Sequence, residues 1–269
     1  MTDDTGHDGP PAARSLPSHF ADSAGQPWQG RHFDSHGTPS DDDGSAPPAL
    51  LAALTAFRAG EGSPDAVVDA VRDVRLLVPL VAHAGDEGVT DTGLRVDKTQ
   101  ELSLVTVAGP GGRTVLPAFT SVAALGAWNP TARPIPVAAP RMALAAVAED
   151  TELIVLDPGS ATEFVLRRPA VWAIARSTPW VPAVDDPEVL AAFEASIAGE
   201  PAVAALRLVA GDPGYRMLGH DVVVVLALVP GLDQAALGAL TSRLQERWAA
   251  HPLIAERVDS LGVRLTALP

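Results

Sequence analysis

The 269-residue chain carries 33 Asp and Glu against 19 Lys and Arg, a formal net charge of −14, and it has no cysteine. That balance would repel nucleic acid and anionic lipid, and the missing thiols exclude disulfides, thiolate nucleophiles, zinc–thiolate sites and cysteine-ligated iron–sulfur clusters. With 47% hydrophobic and 19% charged residues the sequence can bury a sizeable core, and its length fits two modest domains.

Residues 1–46 read as a disordered acidic tail. They hold eight Asp (3, 4, 8, 22, 34, 41, 42 and 43) against Arg14 and Arg31, are rich in Gly, Pro and Ser, and show no hydrophobic periodicity. The start is acidic where a secretory signal would be basic and then apolar, and the longest aliphatic run, Val222 to Val229, is far short of a membrane span. A cytoplasmic location without membrane association is therefore expected. A solvated linker has no use for Trp28 and Phe33, so Trp28, Arg31 and Phe33 form a candidate docking segment for the protein's own body or for another protein. The body is preferred because a tethered site has a high effective concentration.

Order is expected from near Pro48. Leu50, Leu51, Leu54 and Phe57 recur at helical spacing before Gly60, and Ser63-Pro64-Asp65 opens a second helix with Val67, Val71 and Val74 on one face. Leu76 to Ala82 reads as a strand, at an edge or a bulge because of Pro79. Leu102 to Ala108 and Arg113 to Phe119 form a hairpin across a Gly-Pro-Gly-Gly turn. Thr120 or Ser121 caps a short helix that Asn129-Pro130 stops, Ile135 to Val137 is a brief strand, and Pro140 opens an apolar helix buried on most of its circumference. Strands at Glu152 to Asp157 and Phe164 to Leu166 precede a helix started by Pro169.

Three prolines between Thr178 and Pro187 mark the best internal boundary. Beyond it, Asp186 and Pro187 start a helix with Val189, Phe193 and Ile197 inward, strands follow at Ala202 to Ala210 and Asp221 to Val229, and Asp233 caps a helix striped by Leu237, Leu240, Leu244 and Trp248. Leu261 to Leu268 closes an α-β-β-α-β unit. The expected fold is α+β: a domain over 47–179 and another over 186–269, each a small mixed sheet packed with helices.

No reactive constellation emerges. There is no G-x-S-x-G, and the body holds only His83, His220 and His251. His83 near Asp86 and Glu87 reads as a solvated strand end, and His251 before Pro252 as a helix C-terminus. His32 and His36 have i, i+4 spacing but sit between glycines and a proline that leave no room for a helix, so no metal site is assigned. The glycine-rich AGPGGR joins two strands and carries no lysine, which makes it a turn and not a phosphate cradle. No catalytic residue, cofactor or metal is expected. Trp128, Trp172, Trp180 and Trp248 lie in or next to elements and read as core or interface.

The segments LLVPLVA, DKTQELSLVTVAGPGGRTVLPAFTSVAALGAWNPTARPIPV, LIVLDPG and VLRRPAVWAIA together resemble the SseB-type family, named for an enhanced serine sensitivity protein, over about Asp41 to Trp180. Pro230-Gly231-Leu232-Asp233 is similar to the helix entry of the C-terminal domain found in that family. The resemblance implies an α+β domain with no established catalytic residues or cofactor. Trp128 and Arg133, in its most distinctive segment, join Trp28, Arg31 and Phe33 as candidate interaction residues. A non-catalytic protein-interaction or scaffold role with an unidentified protein partner is the leading expectation. The alternative is a small-ligand binder or enzyme with its site between the two domains.

Overall fold

The computed structural model describes residues 42–80, the backbone at 88–89 and 95–96, and residues 106–109, 112–149, 151 and 153–267. Trp28, Arg31, Phe33 and His83 lie outside the described residues. From residue 42 onward the chain forms one compact unit of α+β type. Residues 42–45, read from sequence as the end of the tail, are held in place. The guanidinium of Arg75 donates to both carboxylate oxygens of Asp42, each at 2.7 Å, and to the carbonyls of Ser45 and Thr120, while Val122 N–H donates to Gly44 O at 2.9 Å. That bidentate grip holds the Asp42 carboxyl at about 2.

Helix α1 (Pro48–Ala59) starts on a proline, whose missing N–H costs nothing in the first turn, and ends at Gly60 in the left-handed region (φ 76°). Helix α2 (Pro64–Arg72) also starts on proline; Ser63 takes the cap position with no capping hydrogen bond from its side chain, so the ring of Pro64 sets this terminus. Strand β1 (Arg75–Leu80) follows, then a two-residue antiparallel ladder of β2 (Gly88–Val89) and β3 (Arg95–Val96). The expected hairpin is β4 (Val107–Ala108) with β5 (Thr114–Ala118). Ser121 caps α3 (Val122–Trp128), its Oγ accepting Ala124 N–H at 3.1 Å. Next come β6 (Arg133–Ala138), α4 (Ala139–Ala148), β7 (Ile154–Leu156), β8 (Phe164–Leu166) and α5 (Arg168–Ala175).

The strands run in the order β4-β5-β7-β8, with β5 and β7 parallel, and the antiparallel pair β1–β6 is tied to the end of β5 by reciprocal bonds between Leu77 and Phe119 at 2.8 and 2.9 Å. Those bonds explain the prolines. Backbone groups alternate sides along a strand, so Leu77 and Pro79 present theirs toward β5 while Leu76, Val78 and Leu80 pair with β6. Pro79 therefore ends the β1–β5 contact without sitting on an edge. In β6 the residues opposite Leu76, Val78 and Leu80 are Val137, Ile135 and Arg133, which turns the nitrogens of Pro134 and Pro136 outward. The strand is longer than expected from sequence because its prolines take only positions where no donor is needed.

Helices α1, α2, α4 and α5 cover one face of this sheet, burying Leu54, Val71, Met142 and Ile174 against Leu116, Ile154, Leu156 and Phe164. On α4 only Ala139, Met142, Ala143 and Ala146 are inside. Leu144 is 53% exposed, so this helix is half-covered and not buried around its circumference as its composition suggests. Helix α3 packs Leu125 and Trp128 onto Leu77 and Phe119 in a separate cluster.

Past the proline-rich segment come α6 (Pro187–Ser196), β9 (Val203–Ala210), β10 (Val222–Leu228), α7 (Gln234–Ala250), α8 (Pro252–Arg257) and β11 (Leu261–Ala267). Asp186 and Asp233 cap α6 and α7 with their carboxylates as the sequence predicts. Helix α8 is not anticipated: Pro252 reads as a stop, but it is the first residue of a new helix, and His251 serves both ends. The sheet order is β11-β10-β9, with β10 central, antiparallel to β9 and parallel to β11. The three helices bury Phe193, Leu240, Leu244, Trp248 and Ile254 on one face, against Val222, Val224 and Leu226. No described helix is long and apolar enough to cross a membrane.

The loop between β9 and β10 reaches back into the first core. Tyr215 stacks on Phe164 (centroids 4.9 Å apart, planes 5° apart), and its carbonyl accepts Val165 N–H from the outer edge of β8. Below it lies a buried ionic cluster. Arg167, 4% exposed, donates to Asp212 at 2.7 Å and Asp259 at 3.1 Å, and Arg113 grips both oxygens of Asp259 at 2.6 and 2.8 Å. Asp212 also accepts the N–H groups of Arg216 and Met217, holding Tyr215 and Met217 at positive φ (50° and 58°). Burial pushes the Asp259 carboxyl up, but the hydrogen bonds and charges of Arg113 and Arg167 outweigh it and leave the group below its usual range.

Among the described residues Asp221 accepts only Asp259 N–H, at 3.0 Å, and burial raises its carboxyl above the usual value. A raised carboxyl favours the protonated form in the fold, so its contribution is fully present below the unfolded value and is lost as pH rises through the folded one. Asp221→Asn keeps the accepting oxygen and removes the charge. It is expected to raise Tm at pH 7, with the gain vanishing below about pH 4, the ordinary Asp value; thermal melts across that range check it.

Candidate functional site

A cleft of about 390 Å³ lies between α5, the segment Thr178 to Val181, and the facing ends of α6 and α8. One wall comes from a single face of α5. Arg168, Trp172 and Arg176 are four residues apart, hence one above another on the helix, and all three line the cleft. The other wall is Pro179, Trp180 and Val181, with Asp186 at the start of α6 and Glu256 and Arg257 at the end of α8.

Each charged group has a defined hold. Arg168 donates to the carbonyls of Ala255 and Val258 at 2.6 and 2.7 Å, satisfying the C-terminal end of α8. Arg257 bridges Asp186 at 2.8 Å and Glu188 at 2.7 Å. Those carboxylates raise the Arg257 guanidinium; burial pushes Asp186 up, and Arg257 with the α6 backbone amides pulls it below the ordinary range. Arg176 lies 4.8 Å from the Trp172 ring centre and 3.4 Å from Glu256, both members of that pair being more than half exposed. It is the loosest cation of the cleft. Trp180 meets the Tyr215 ring edge-on at 6.4 Å, which fixes the second indole against the first core.

Three arginines, two carboxylates, two tryptophans and one threonine hydroxyl supply the functional groups of the lining. No histidine, cysteine, serine or lysine is among them, and Asp186 is held as a carboxylate by Arg257. The cleft can stack a flat or apolar group on indole and give charge-assisted hydrogen bonds to an anion. Among the described residues no group of three or more His, Asp or Glu converges into a metal cage.

Of the candidates named from sequence, the two within the described residues fall elsewhere. Trp128 is half-buried, 5.3 Å from Phe119, and Arg133 opens β6 in the exposed register; neither lines the cleft. The i, i+4, i+8 spacing of Arg168, Trp172 and Arg176 is visible in the sequence, whereas nothing local marks Glu256 and Arg257 as the facing wall.

Residues 50–173 match the model of the SseB protein N-terminal domain, the family that the sequence resembles. The match ends within α5, so Arg168, Pro169, Trp172 and Ala173 lie inside it and the other lining residues beyond it. No curated protein and no solved structure matches the chain.

Proposed function

We propose that this is a non-catalytic, cytoplasmic interaction protein whose cleft receives a segment of a protein partner. The observation that carries the reading is the pairing of Trp172 and Trp180 with Arg176 in a concave site that holds no histidine, cysteine, serine or lysine. Tryptophan and arginine are the residues that most often anchor protein interfaces. The chemistry favours a segment presenting an aromatic or aliphatic side chain to the indoles and a carboxylate to Arg176, displacing Glu256. The alternative, a small-ligand site, draws on the volume, which falls within the usual range for such pockets, and on lining drawn from both sides of the proline-rich segment.

Selection of a displayed random-peptide library on the full chain separates the two. Enriched peptides should carry an apolar residue near Asp or Glu, and should weaken at least about tenfold against Trp172→Ala and Arg176→Ala, consistent with loss of an interface anchor. Trp172 is half-buried and Arg176 exposed, and a cooperative melt of each variant establishes that it folds. Enrichment indifferent to both changes would overturn the reading. So would a panel of small metabolites that raises the Tm of the parent but not of Trp172→Ala.

A further inference from the structure

Among the described residues, the β11-β10-β9 sheet has helices on one face only. On the other, β10 presents Val223, Val225 and Ala227 in a row, and the cross-strand partners of Val225 are Arg207 on β9 and Arg264 on β11. Val225 is only 3% exposed yet lies outside every hydrophobic cluster of the described residues, which fits two arginine stems lying over it. Arg207 and Arg264 are exposed and make no ion pair or hydrogen bond with a described residue. None of the residues sharing this face is acidic, in a protein of net charge −14.

From this arrangement we propose that the open face is a docking surface for an acidic amphipathic helix of a protein partner. Three features select that occupant. Sheet faces are ordinarily closed by helices, as the opposite face of this sheet is. Strands β9 and β11 lie two strand spacings apart, about 9–10 Å, close to the diameter of a helix with its side chains, about 10–12 Å. A helix seated over Val223, Val225 and Ala227 thus has one unpaired guanidinium along each flank, and carboxylates on its two flanks complete both. A second copy of the chain would set Arg207 and Arg264 against their own copies, and the protein's overall negative charge opposes nucleic acid. The surface shares no residue with the cleft, so either proposal can fail alone.

The probes are a synthetic helix of about 18 residues, near 27 Å long, with a leucine stripe flanked by glutamates, and the same peptide with every glutamate replaced by lysine. Fluorescence anisotropy with the full chain should show binding of the glutamate peptide only. The binding should weaken on the order of tenfold in Arg207→Glu/Arg264→Glu, less in the double Ala variant, and similarly when salt rises from about 0.05 to 0.5 M, where surface charges are screened. An unchanged Tm establishes that the variants fold. No binding of the glutamate peptide, equal binding to parent and double Glu variant, or equal binding of both peptides overturns the proposal. Sedimentation showing a parental dimer that the double Glu variant abolishes would assign the face to a second copy and overturn it too.

Discussion

Replacing Arg167 with Met is expected to cost about 3–5 kcal/mol of stability, the usual penalty for breaking a buried ion pair from one side. Methionine matches the length of the arginine stem and fills most of its space, so the loss is electrostatic. Asp212 keeps only the N–H groups of Arg216 and Met217, Asp259 keeps only Arg113, which is 37% exposed, and the carbonyl of Gly219 loses its donor. At roughly 2–4 °C per kcal/mol for a protein of this size, Tm should fall by about 6–20 °C. Arg167→Met/Asp212→Asn should recover part of the loss, because it removes one of the stranded charges, and the cycle measures the coupling. A fall of less than about 1 kcal/mol in the single variant would mean that water reaches the cluster.

Tyr215→Ala should cost about as much, 3–5 kcal/mol by comparison with other large aromatic deletions. The ring is 9% exposed, stacks on Phe164, and meets Phe57 at 5.7 Å and Trp180 at 6.4 Å. Alanine keeps the positive φ of that position, so no backbone strain is relieved to offset the cavity. Tyr215→Phe is the control and should change stability by less than about 0.5 kcal/mol, since the hydroxyl has no hydrogen-bond partner among the described residues. Trp180 loses its neighbour in the Ala variant, so tryptophan emission should shift in the native state as well as Tm. Tyr215 is the one tyrosine of the chain, and burial pushes its phenol upward. The neutral phenol is the form the fold favours: this contribution is fully present below about pH 10, the ordinary value, and is lost as pH rises through the folded one. Phenolate absorbance should accordingly lag behind that of free tyrosine and appear together with unfolding.

Local rules carried much of the fold. Proline at the first helical turn, Ser121, Asp186 and Asp233 as caps, Gly60 as a stop and the hairpin at Gly109 to Gly112 are each decided within a few residues, and each is legible in the sequence. The misjudged places are those where a local rule has a geometric exception. Proline inside β6 is penalised by any propensity argument, yet alternation lets Pro134 and Pro136 sit where no bond is needed. Pro252 ends one helix by beginning another. The site is less legible for a different reason. Arg167 meets Asp212 and Asp259 across 45 and 92 positions of chain, and Arg257 faces Trp172 only because α8 folds back on α5, so no spacing rule connects them.

The outward nitrogens of Pro134 and Pro136 bear on how the protein behaves when crowded. An arriving β-strand grows a sheet by finding alternating donors and acceptors on its rim, and along β6 two successive donors are missing. At the opposite rim, the N–H of Val165 is already taken by the carbonyl of Tyr215. The rims at β6 and β8 thus give a growing fibril a poor template while Tyr215 stays seated. Freeing that loop, as in Tyr215→Ala, uncovers β8 with its bare Val165 amide, so such a variant should form fibrils more readily than its loss of stability alone implies.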